Sequence, residues 1–81
     1  MSTLRELFHG IGNNYNLVLI SAGVSEELVD LCLIEKDPEK LKVTLGEIKS
    51  NLAKISSSVL AADEKLRQIH ERVYKLIDPN T

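Results

Sequence analysis

The chain of 81 residues is predicted to be all-α: an antiparallel helical hairpin, about 3–34 and 38–77, pairing with a second copy into a dimeric four-helix bundle. Three observations predict it. Apolar residues recur at alternating four- and three-residue steps through both halves of the chain. A short charged segment, Glu35-Lys36-Asp37-Pro38-Glu39-Lys40, separates the halves. The first half carries apolar residues on two sides, more than one neighbouring helix covers.

The second half shows the period best. Leu41, Leu45, Ile48, Leu52, Ile55, Val59, Ala62, Leu66, Ile69, Val73 and Leu76 keep the heptad spacing without a slip, the pattern of a helix packed lengthwise with a left-handed superhelical twist. As one helix this stretch would run about 54 Å at 1.5 Å per residue. Lys42, Glu47, Lys49, Lys54, Asp63, Lys65, Arg67 and Glu71 are expected to point outward. Ser56, Ser57 and Ser58 lie beside the stripe and are read as small packing residues.

In the first half Thr3 is placed to cap a helix, with Glu6 in capping-box position. The stripe Leu4, Phe8, Ile11, Tyr15, Val18, Ala22 runs on toward Val29. Gly10 and Gly12 weaken it, since two glycines cost roughly 2 kcal/mol against alanine. The stripe nevertheless keeps its phase across them, so a continuous helix is expected. Leu17, Ile20, Val24, Leu28 and Leu31 form a second apolar row on roughly the opposite side from Val18, Ala22 and Val29. That row motivates the dimer, with Leu17, Val24, Leu28, Leu31, Leu52, Ile55 and Val59 as dimer or core residues. Asp37 as cap and Pro38 in the first helical position open the second helix. Asp78-Pro79 is expected to close it, because proline disfavours helical geometry in the residue before it.

The totals narrow the function. Residues 1–81 read as a single domain, and so short a chain rarely stabilises itself without disulfides, metal or oligomerisation. Cys32 is the sole cysteine, which excludes an internal disulfide, and its apolar surroundings predict a buried, inert thiol. A net charge of -2 with interspersed signs supplies no basic patch, so no nucleic acid partner is expected. The apolar run at 17–20 is too short to span a bilayer, and no signal peptide is recognised; no membrane insertion and a cytoplasmic location are expected.

His9 is the candidate for chemistry. Its phase on the first helix lies well away from the stripe, so it should face solvent near one end of the bundle. An unprotonated imidazole is a nucleophile, and exposure is what another protein's active site would require of it. Gly10 and Gly12 leave the approach open. His70 is expected at the same end. Neither histidine has a histidine or cysteine four residues away, so no metal site is expected. Glu26-Glu27 and Asp63-Glu64 are adjacent pairs that diverge on a helix and read as solvated surface.

The segment His9-Gly10-Ile11-Gly12-Asn13-Asn14-Tyr15-Asn16-Leu17 resembles the phosphoacceptor box of sensor histidine kinases. There a histidine is followed by an acidic residue, an apolar one, an Asn or Thr in fourth place and an apolar residue in sixth; Ile11, Asn13 and Tyr15 match the last three. The resemblance implies a dimerisation and histidine phosphotransfer domain. His9 would be the phosphoacceptor and Asn13 an assisting residue, with Gly10, Gly12, Asn16 and Ile20 docking a response-regulator receiver domain. It implies no cofactor on this chain, the Mg2+ belonging to the receiver. Gly10 stands where the family has its acidic residue, and no nucleotide-binding motif is present, so the chain is not expected to be a kinase on its own. The dimeric phosphotransferases with a kinase-like hairpin fit these departures better. A helical dimerisation or adaptor module without chemistry is the alternative.

Overall fold

The computed structural model describes residues 2–77 as two long helices, α1 (Leu4–Ile34) and α2 (Pro38–Ile77), with no strand among the described residues. They pack against each other as a hairpin 64 Å long and 18 Å across, with the last turn of α2 exposed. Thr3 caps α1: its Oγ1 accepts from the Glu6 backbone N–H at 3.1 Å, and its hydroxyl donates to the Glu6 carboxylate at 3.3 Å. The helix passes through Gly10 and Gly12 without a break, as the unbroken phase of the stripe predicts. The stop expected at Asp78-Pro79 lies outside the described residues.

The reversal takes three residues. The Glu35 N–H closes α1 on the Leu31 carbonyl at 3.0 Å. The Glu35 carboxylate then accepts from the Lys36 and Asp37 backbone N–H groups at 3.1 and 3.0 Å. Asp37 Oδ1 accepts from the Glu39 N–H at 3.0 Å, and Pro38 occupies the first helical position, where its missing N–H costs nothing. Polar groups freed by the turn are thereby satisfied within it. A connection this short leaves antiparallel packing as the one way for both helices to touch.

Each helix packs on a heptad seam, but the seam is not the apolar stripe. On α2 the side turned toward α1 is Leu41, Thr44, Ile48, Asn51, Ile55, Ser58, Ala62, Lys65, Ile69 and Arg72, all buried or half-buried. On α1 it is Leu4, Leu7, Ile11, Asn14, Val18, Ser21, Ser25, Leu28 and Cys32. α1 thus covers only part of the α2 stripe: besides Leu76 at its end, Leu45, Leu52, Val59, Leu66 and Val73 are exposed. These five, at seven-residue intervals, form an outer row. Phe8, Tyr15 and Val29 form the matching exposed row on α1, with half-buried Ala22 between the last two. The physical reason is coverage. Stripe and seam share the row Leu41, Ile48, Ile55, Ala62 and Ile69, but a single neighbour covers about two positions in seven, and the second row turned to α1 is Thr44, Asn51, Ser58, Lys65 and Arg72.

The seam is thin and partly polar. Leu7 and Ile69 are the buried apolar side chains among the described residues, at 3% and 8% exposure. Ser21, Ser25 and Ser58 are buried beside them, and Ser25 donates its hydroxyl to the Ser21 carbonyl at 2.7 Å. Of the three serines read as packing residues, Ser58 alone enters the seam; Ser56 and Ser57 are exposed. Cys32 is half-buried rather than buried. Lys65, expected outside, points inward and donates from Nζ to Asn14 Oδ1. An ammonium at a seam position is tolerated because its head finds an acceptor and its stem packs.

On the outside of α2, Arg67 bridges Glu64 at 2.6 Å and Glu71 at 2.9 Å. Its hydrogen bonds, together with one from Gln68, hold the Glu64 carboxyl below the usual carboxylate range. Both groups are exposed, so the network decorates the surface and contributes little to stability.

Candidate functional site

α1 carries His9 on its outer side, exposed, in the second turn from the open end of the hairpin. Arg5, Glu6, Phe8 and His9 line a shallow depression there. Arg5 lies one helical turn before His9 and Asn13 one turn after it, both exposed. Gly12 is exposed and faces open space, with no atom within 4 Å of the place a Cβ would take. Asn16 and Ile20 continue the exposed surface toward the middle of the helix.

Gly10 lies elsewhere. It is half-buried, and a Cβ there would meet Lys65 Cε at 2.8 Å and Cδ at 3.1 Å. The lysine stem crosses the helix over this glycine on its way to Asn14. Gly10 thus belongs to the helix–helix contact, one position round the helix from the exposed histidine. Sequence reasoning took Lys65 for a surface charge. The signal that could have found it is its place three residues after Ala62 and four before Ile69, a seam position with a polar occupant.

His70 stands at the same end of the hairpin, as antiparallel packing requires, and its ring packs on Tyr74 of its own helix with centroids 6.0 Å apart. Among the described residues no three histidine, cysteine or carboxylate side chains converge as metal ligands would. Nor is any helix long and apolar enough to cross a membrane. Of the residues singled out as dimer or core, Leu28 and Ile55 are half-buried within one chain, and Leu17, Val24, Leu31, Leu52 and Val59 are exposed.

No protein-family model matches the chain, and no curated protein or solved structure matches it either.

The glycines differ in what they offer. Gly12→Ala should raise the unfolding free energy by about 1 kcal/mol, the helix-propensity difference with nothing to displace. Gly10→Ala should gain less, because the Lys65 stem must shift and its bond to Asn14 with it. Urea titrations of the two variants followed by circular dichroism measure the difference.

Proposed function

We propose that the chain is a histidine phosphotransfer module, working as a dimeric four-helix bundle, in which His9 exchanges a phosphoryl group with an aspartate on a receiver domain. The observation that carries this reading is the exposed imidazole on an unbroken helix, with Asn13 one turn further on and bare backbone at Gly12. In the transfer the imidazole lone pair attacks phosphorus. A P–N bond forms as the P–O bond of the acyl phosphate breaks, and the electron pair leaves on the aspartate carboxylate. The imidazole N–H proton is shed to solvent, which the exposed position allows. Stabilising the transferring group is the receiver's part, through its Mg2+ and hydrogen-bond donors. This chain positions the nucleophile and offers a docking surface along Asn13, Asn16 and Ile20. Gly10, in place of an acidic residue, fits a module that exchanges phosphate without a kinase step.

The experiment is incubation of the protein with a phosphorylated receiver domain, followed by mapping of acid-labile, base-stable phosphate. Phosphate on His9 is expected; a receiver that loses its phosphate only to water rules the reading out.

A second reading is a helical dimerisation or adaptor module without chemistry. The outer rows favour it, because they call for a protein neighbour whether or not His9 reacts. In the same experiment it predicts self-association with no phosphate on the chain.

A further inference from the structure

We infer that two hairpins associate through the side that carries both outer rows, and that the opposite side, with Leu17, Val24 and Leu31, stays uncovered in the dimer. This rests on the four-helix bundle proposed above and not on the chemistry at His9, so either can fail alone.

The two sides of the hairpin differ in a way that the first helix by itself does not reveal. In an antiparallel pair with heptad seams, equivalent flanks of the two helices fall on the same side. The structure follows this: Tyr15 of α1 shares a groove with Val59 and Leu66 of α2. On the other side, Leu17 shares one with Lys54. On the first side both helices thus present an apolar outer row, with Asp63 as the one charged residue lining the shared groove. On the second the α1 row is apolar, whereas the α2 row at heptad spacing reads Glu47, Lys54, Ala61 and Gln68. Pairing through that side would take Glu47 and Lys54 out of water, a desolvation cost that the apolar row of one helix must offset alone.

The way the stripe is split points to a second copy. Each helix turns one flank of its stripe to its hairpin neighbour and the other flank outward, on the same side for both. A hairpin that is half of a four-helix bundle has this arrangement, since every helix there needs two neighbours. Extent agrees as well. Leu52 and Leu66 are 53% and 51% exposed, and the other outer-row residues are comparably open. Together they offer an area on the order of the ~800 Å² that each partner buries in a stable interface.

The test compares one residue from each side. Sedimentation equilibrium should show a dimer for the unaltered chain. Leu66→Lys should weaken it by at least about 100-fold, roughly the cost of burying an unpaired charge converted to a dissociation constant, and Val24→Lys should leave it within a few-fold. Because Leu66→Lys can also unfold the hairpin, thiol labelling in a Cys32→Ser background supplies a gentler arm. Leu66→Cys should label about tenfold more slowly in concentrated than in dilute protein, the factor that tracks an order-of-magnitude fall in the fraction of unassociated chains, and Val24→Cys should label at one rate throughout. Protection of Val24→Cys instead, equal labelling of both, or a monomer at every concentration overturns the assignment.

Discussion

Replacing His9 with glutamine is expected to abolish phosphate uptake from a phosphorylated receiver while leaving helix content, melting and dimerisation as they were. The glutamine keeps a polar side chain of similar reach but has no nucleophilic nitrogen. The position is exposed and makes no hydrogen bond to the rest of the hairpin among the described residues, so stability should change by less than about 0.5 kcal/mol. His70→Gln, on a residue that packs on Tyr74, should leave uptake intact and serves as the control. Transfer assays with radiolabelled receiver, run beside thermal melts, read both quantities. Loss of uptake together with a destabilisation above about 2 kcal/mol would mean that His9 supports the fold. No change in either quantity would leave the helical assembly module as the function.

A large structural effect is expected at the same end of the molecule. Leu7 and Ile69 are the buried apolar residues of the seam among the described residues; its other large apolar side chains, such as Ile11, Ile48 and Ile55, are half-buried. Leu7→Ala should cost about 3 kcal/mol, within the range for truncating a buried leucine, a large part of what so small a domain has in reserve. Leu60→Ala, at a position 70% exposed, should cost less than about 0.5 kcal/mol. Denaturant titration at fixed protein concentration gives the comparison, since the proposed association would add to the apparent stability of each variant. If Leu7→Ala and Leu60→Ala prove equal, the hairpin contact is not what holds the open end together. Fraying of that end would also change how His9 is presented, so a drop in transfer by Leu7→Ala with His9 intact is the expected companion result.

Legibility of the candidate site in the sequence was uneven for a physical reason. The exposure of His9 follows from phase alone, because its offset from the Leu4–Ile11–Val18 line is set by helix geometry. Gly10 beside it could not be placed that way. Its half-burial depends on a lysine more than fifty residues away in the chain, which reaches it only once the two helices are in register.

The same division runs through the fold. Local sequence determined the two helices, their caps and their antiparallel course. Thr3 and Asp37 satisfy orphan N–H groups within a few residues of themselves, the heptad period spans both halves, and a three-residue turn admits one packing direction. Such interactions are short-range, so they are written where they act. Tertiary structure alone decided how far each helix is rotated about its axis. An apolar stripe can be approached from either edge, and its spacing is the same for both. The choice falls to long-range fits: Lys65 finding Asn14, and Ser21, Ser25 and Ser58 being small enough to sit between the helices. That rotation turned Lys65 inward and left Leu45, Leu52, Val59, Leu66 and Val73 facing outward, because the pairing of two distant faces is a property of neither helix by itself.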